Sequence, residues 1–201
     1  MNDSKKTVRL ITPKFRVSFP QVFVPKAMDP TQPAKYSIQM IFDKVFENPK
    51  DQELWNNMKD ALKGAIAAKW PDAANRPKNI RIPFRDGAEK EGFDGYGADV
   101  VFMNASSKDK PGLVDQNKNV ITDPSQFYAG CYARATLTVY AYAKVGNNGV
   151  SFGLQNLQFM GNGTPFSGKK KASEDFDIIE GVDEIAEDIM GDSGEDLLGD
   201  F

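Results

Sequence analysis

The chain has 201 residues, no histidine and a single cysteine, Cys131. Without histidine there is no imidazole general acid or base, no Ser-His or Cys-His nucleophilic pair and no His-containing zinc site. A lone cysteine makes no internal disulfide, which fits a reducing, cytoplasmic setting, and without a basic partner it reads as a small core residue. No run of about 18 apolar residues is present, so no membrane span is expected. The opening stretch, MNDSKKTVRLITPKFR, also lacks the apolar segment of a secretory signal. Gly92, Gly95 and Gly97 lack the strand-before, helix-after context of a phosphate-binding loop and read as loop formers. There is no internal repeat, and no Gly/Ser-rich or Pro-rich linker divides the first 165 residues.

One more absence says most. No Lys or Arg follows Lys171, and 12 of the 28 carboxylates fall in residues 172–201. Residues 1–171 therefore hold all 25 basic residues against 16 acids, a net charge of +9, and the tail holds −12. The formal total of −3 hides a basic body joined to an acidic arm. A block of like charge repels itself, stays solvated and commonly serves as an interaction tail. A basic body points to a polyanionic partner. The expected division is a binding domain over 1–165, then a hinge and disordered acidic tail over 166–201, with Lys169, Lys170 and Lys171 in the hinge. Asp196, Asp200 and the terminal Phe201 are the tail residues expected to meet a protein partner.

Along the body, residues 7–24 alternate with period 2, placing Phe15, Val17 and Phe19 on one face of a strand. A second strand follows at 34–42. From Asn48 the period changes. Pro49 near the start, Asp51 and Glu53 in the first turn, and Leu54, Met58, Leu62 and Ile66 at i+4 spacing predict an amphipathic helix ending near Trp70-Pro71. Trp55 and Trp70 flank that stripe and are expected to pack the helix on a sheet. Residues 72–97 read as loop, 99–105 as strand and 113–121 as a hairpin around Asn117-Lys118-Asn119. Residues 130–160 predict a long hairpin with its turn at Gly146–Gly149. In its first arm Cys131, Ala133, Ala135, Leu137, Val139, Ala141 and Ala143 share a small-residue face that suits the inside of a narrow closed barrel.

The opposite face of that arm carries Tyr132, Arg134, Tyr140, Tyr142 and Lys144 and no acid. Unpaired bases stack on aromatic faces while basic side chains track phosphates, so this face is a candidate single-strand surface. The loop supplies a second candidate set in Arg76, Lys78, Arg81, Arg85 and Tyr96, with Lys90, Phe84 and Phe93 among them. Lysine-rich basic sets give point charges and not bidentate base reading, so sequence-indifferent binding is expected. Two other classes compete. Asp86, Glu89, Glu91, Asp94 and Asp99 would serve a metal-dependent nuclease if they converged, though their spacing is irregular. A protein-interaction adaptor would use the tail alone.

Two long segments, RVSFPQVFVPKAMDPTQPAKYSIQMIF and FYAGCYARATLTVYAYAKVGNNGVSFGLQNLQ, resemble a family of phage-encoded single-stranded DNA-binding proteins across most of residues 9–160. The more specific parts are Tyr128, Gly130, Cys131 and Tyr132, and the run Gly149-Val150-Ser151-Phe152-Gly153-Leu154. The resemblance implies a mainly β protein with one substantial α-helix, an oligonucleotide/oligosaccharide-binding (OB) five-stranded barrel, and a role in replication or recombination inside an infected bacterium. It implies no enzyme activity, no cofactor and no metal. The tail is similar to those of T7-like phage and bacterial single-stranded DNA-binding proteins, which end in an aromatic after acids and recruit replication enzymes; the proline before the terminal Phe of the bacterial tails is absent here. Single-stranded DNA, a replication or recombination protein on the tail, and a second copy of the chain are the partners expected; a membrane is not.

Overall fold

The computed structural model describes residues 9–27, 29–144 and 146–166. The acidic tail, with Asp196, Asp200 and Phe201, lies outside the described residues. The alternating segments form strands β1 (Arg9–Ile11), β2 (Phe15–Lys26), β3 (Lys35–Asp43), β6 (Val100–Ser107), β8 (Tyr132–Lys144) and β9 (Asn147–Gly161), with short β4 (Ile80–Arg81), β5 (Arg85–Asp86) and β7 (Gly112–Val114) from the loops. β2 pairs antiparallel with β3, β3 with β6, and β8 with β9, while β6 and β9 run parallel. The antiparallel pairing of Phe15 with Ala133 and Arg16 with Tyr132 joins β2 to β8 and closes the ring β2-β3-β6-β9-β8. Five of the nine described strands thus form a barrel, as the resemblance implies.

Proline shapes the seam. Pro13 has no N–H for the ladder, so β1 and β2 are separate pieces along one edge of β8. The fully buried Thr12 bridges the gap: its N–H donates to the Ala135 carbonyl and its hydroxyl accepts from the Ala135 N–H, both at 2.9 Å.

Alternation decides what fills the interior. Phe15, Val17, Ile38, Met40, Phe42, Met103, Phe152 and Leu154 point inward, and Cys131, Ala133, Ala135 and Leu137 of β8 line the same core. Small side chains at these positions leave room for rings such as Phe15 and Phe42, whose centroids lie 5.6 Å apart edge to face. Burial pushes the Cys131 thiol up to about 11, which makes it inert as a nucleophile at neutral pH.

The predicted helix is α1 (Pro49–Lys69), inserted between β3 and β6. Asn48 caps it, its side chain accepting from the Lys50 N–H at 3.0 Å, and Pro49 occupies the first turn where its missing donor costs nothing. Met58 and Leu62 are buried, each worth about 1.5–3 kcal/mol of apolar transfer. Trp55 lies against Phe42, Phe46 and Phe84 at centroid distances of 5.1, 5.8 and 4.7 Å. Replacing Trp55 by Ala would empty the centre of this junction. Trp70 ends the helix, and its carbonyl accepts from Arg76 Nε at 2.8 Å.

Two local expectations are corrected. β9 already begins at Asn147, just after Gly146 at φ +71°, so Gly149 sits inside β9 and not in the turn. Phe19 does not share the face of Phe15 and Val17. The β2–β3 register shifts between Ser18 and Gln21, and Phe19 takes φ +44°, which turns its ring out of the barrel to 50% exposure. A bulge re-aims a side chain in this way.

Candidate nucleic-acid interface

The bulge at Phe19 opens onto the outer face of β2, β3 and β6. A left-handed backbone at a bulky residue costs on the order of 1–3 kcal/mol, and Pro20 next in the chain favours an extended conformation at Phe19. Apolar burial does not offset the strain, because Phe19 and its edge-to-face neighbour Phe93, 6.4 Å away, are 50% and 56% exposed.

Lys90 sits among these rings. Its Nζ lies 4.9 Å from the centroid of Phe19, 5.7 Å from Phe93, 5.2 Å from Tyr96 and 5.2 Å from Phe102. It donates to Gln39 Oε1 at 2.7 Å, and the Tyr96 hydroxyl bonds to Ser18 Oγ at 2.9 Å and to the same Gln39 oxygen. Burial against the rings, and then repulsion from Arg85, hold the Lys90 ammonium below the usual lysine range; burial also pushes the Tyr96 phenol up. Two short segments carry the rings and the ammonium onto the face. The turn Gly87–Lys90 is capped by Asp86, and β5 pairs Arg85 with Phe102 on β6.

Beside this cluster lies an arginine sandwich. The Arg16 guanidinium is 4.3 Å from the Phe166 ring and 5.6 Å from the Tyr132 ring, and Lys14 Nζ lies 5.1 Å from Tyr132. Arg16 Nη2 donates to the carbonyls of Thr164 at 2.8 Å and Gly130 at 3.3 Å. The segment 162–166 is strapped to the barrel by the Phe166 N–H on the Ala129 carbonyl (2.8 Å) and the Gly163 N–H on the Tyr128 hydroxyl (3.3 Å). Gly130, at φ +103°, lies directly under this strap; a Cβ there would strike the Thr164 carbonyl and the Phe166 nitrogen. A cleft of about 260 Å³ lies on the Tyr132 side of Arg16, lined by Lys14, Arg16, Tyr96 and Tyr132 together with Asp43 and Asp99. It adjoins a larger one of about 790 Å³ that shares Lys14 and is lined also by Lys44, Lys50 and Arg134.

The β8 residues named from the sequence are spread out. Tyr132 belongs to the arginine sandwich, whereas Tyr140 is eight residues further along the strand, about 26 Å away at the usual rise. Arg134 is exposed and donates to Gln158 Oε1 at 2.8 Å. Tyr140, Tyr142 and Lys144 lie on the outer arm of the hairpin. Tyr142 packs over Gly149, which pairs with Arg81 of β4, so Arg81 joins this arm. The other loop residues serve different ends: Arg76 holds the end of α1, Lys78 is exposed, and Arg85 pairs with Glu89 while lying 4.9 Å from the Phe102 ring. Among the described residues no three Cys, Asp or Glu side chains converge into a group able to hold a metal. Asp86 and Glu89, two of the acids considered for a nuclease, are paired with Lys44 (2.8 Å) and Arg85.

Sequence reasoning left out Phe19, Lys14, Arg16 and Phe166 as binding residues, and placed Lys90 and Phe93 in the loop's candidate set without the strand residues they meet. Strict alternation hid Phe19. The one local signal was the proline that follows it, since a Pro inside a strand marks an edge or a bulge.

No curated protein sequence matches the chain. A family model described as the single-stranded DNA-binding protein of Enterobacter phage Enc34 matches residues 8–190. The solved structures similar in fold include the bacteriophage Enc34 single-stranded DNA-binding protein in complex with single-stranded DNA, at TM-score 0.63 and 13% identity over 79% of this chain and 89% of that one. Another structure of the bacteriophage Enc34 protein gives TM-score 0.60 and 15% identity over 84% of this chain and 90% of that one. The single-stranded DNA-binding protein gp2.5 of bacteriophage T7 gives TM-score 0.57 and 11% identity over 82% of this chain and 98% of that one.

Proposed function

The chain belongs to the Enc34 phage single-stranded DNA-binding protein family, and on that premise we propose that it coats single-stranded DNA in phage replication or recombination without strong preference for sequence. The observation that carries this reading is the outer face of β2, β3 and β6. There, and on the adjoining start of β8, aromatic rings alternate with cations that have no salt bridge among the described residues, from Phe19, Phe93 and Lys90 through Tyr96 to Arg16, Lys14 and Tyr132. Rings of this kind stack on any base, and point charges follow any backbone. In OB barrels the faces of the second and third strands, with the flanking loops, are where oligonucleotides bind, and β3 and β6 hold those places here. At least one of Tyr132, Tyr140 and Tyr142 stacks on a base, with Arg134, Lys144, Lys78, Arg81 and Arg85 along the same strand path. The protein does this work in the cytoplasm of the infected cell and without enzyme activity.

The acidic segment 172–201 plays two parts in this proposal. Its charge of −12 opposes the body's +9, so it competes with DNA for the basic face; once expelled, it presents Asp196, Asp200 and Phe201 to a replication or recombination protein. Tethering gives it an effective concentration in the millimolar range, roughly, even if each contact is weak.

The test is a titration of labelled oligo-dT by the full chain and by a chain ending at residue 171. Neutralising about four to six phosphates gives a slope of log K against log salt near −3 to −4. Affinity indifferent to salt would overturn the binding reading. The shortened chain is expected to bind tighter, most clearly at low salt; equal affinities there would remove the competition and leave the tail a docking role alone.

A further inference from the structure

We infer that Phe19, Lys90 and Phe93 form a base-capture clamp whose slot holds the Lys90 ammonium in the free protein and a nucleobase in the bound one, the ammonium moving out to a phosphate. This rests on the single-stranded DNA reading above and says which side chains exchange places when the strand arrives.

Three observations converge on it. Phe19 is held in a left-handed conformation by a bulge, before a proline, with half of its ring in water; neither local preference nor core packing accounts for that placement. Strain of this sort gathers at ligand clamps, where the surrounding structure over-determines it. Phe93 meets Phe19 edge to face at 6.4 Å and is as exposed, so the pair presents aromatic surface without burying it.

The third observation is Lys90 itself. Its ammonium lies within 5.7 Å of four ring centroids, yet among the described residues no carboxylate pairs with it, and its one direct hydrogen-bond partner is the neutral Gln39 amide. A cation in such a cage trades hydration for ring quadrupoles, a modest exchange at a site still partly open to water. Phosphate offers a full negative charge to the same ammonium, and the unbranched lysine stem can swing to reach it. A base then takes the ring surface. The two halves reinforce each other, because the incoming strand supplies at once the aromatic replacement and the counter-charge.

The test uses the full chain labelled with carbon-13 at lysine, the Lys90 signal being assigned by its loss in Lys90→Arg. In the free protein the ring currents shift the Lys90 ε-methylene protons upfield. Adding oligo-dT to saturation, followed by fluorescence anisotropy on the same samples, should return them close to the ordinary lysine position. If they stay upfield while anisotropy reports a saturated complex, the exchange is wrong. If anisotropy shows no complex at all, the single-stranded DNA reading fails instead.

Variants separate the clamp from a merely structural cluster. Phe19→Gly relieves the backbone and should raise the thermal midpoint while weakening oligo-dT binding about 5- to 150-fold, the range for losing one stacked base. Unchanged affinity would overturn the clamp. Phe93→Ala, on an exposed loop, should weaken binding over the same range, so the point stands even if position 19 tolerates no change. Lys90→Met should lower the salt slope by about 0.7, one phosphate's share on a single strand; an unaltered slope would overturn the phosphate half of the exchange.

Discussion

Two outer surfaces of this barrel carry aromatic rings among basic side chains, and they are built differently. On the β8 arm, Tyr140, Tyr142 and Lys144 come from one strand, spaced by its two-residue repeat. On the face of β2, β3 and β6, Phe19, Gln39, Lys90, Phe93, Tyr96 and Phe102 come from three strands and a loop, and gather within ring-contact distance of one ammonium. A single strand lays its side chains out in a row about 6.6 Å apart on each face. Only the meeting of several elements makes a cluster. The first surface has the geometry of a row and the second that of a cluster.

The largest expected difference between them is in stability. Gly130→Ala forces a Cβ into the strap at Thr164 and Phe166 while the backbone keeps a positive φ, and should cost about 2–5 kcal/mol. Gly146→Ala at the tip of the arm has the same sign of φ and open space around it, and should cost about 1 kcal/mol. Urea unfolding of the two variants checks this; equal losses would mean the strap is not a fixed part of the face.

A smaller difference is expected in binding. Tyr132→Ala removes a ring from the arginine sandwich and should cost about 1–3 kcal/mol of affinity even for short oligo-dT. Tyr140→Ala should cost as much only for oligonucleotides long enough to reach the arm. Equal effects at every length would merge the two surfaces into one.

The smallest difference concerns the arginines. Arg16→Lys keeps the charge but loses the planar group between Tyr132 and Phe166, and should lower affinity by about 0.5–1 kcal/mol. Arg134→Lys, at a residue whose one hydrogen bond among the described residues is to Gln158, should change affinity by less than about 0.5 kcal/mol. Oligo-dT titrations at matched salt give both values, and the reverse order would relocate the strand.

Much of the framework is legible in the residues. Leu54, Met58 and Leu62 spell out the helix, Asn48-Pro49 its start, and Ala133, Ala135 and Leu137 the narrow inside of a barrel. Local periodicity does not show which strands meet: β2 closes the ring on β8 through pairs more than a hundred residues apart, Phe15 with Ala133 and Arg16 with Tyr132. The same limit applies to the candidate site. The basic, aromatic character of residues 72–97 is visible, but Arg76 turns out to be tied to a helix end, and Lys90 finds its rings on three other elements. Phe19 is hidden for another reason, since a bulge breaks the period that the reading depends on.

The long strand β9 has a consequence for crowding. One edge of its fifteen residues belongs to β8, and along the other β4, β6 and β7 follow one another at Asn148–Gly149, Phe152–Gly153 and Asn156–Gln158. A bare edge of that length would be a template for sheet growth from molecule to molecule. On the proposed coating of a strand by many copies, local concentration would be very high, and such an edge would be most hazardous there. With its second side tiled by three short pairings, β9 offers a neighbouring copy little backbone to anneal to.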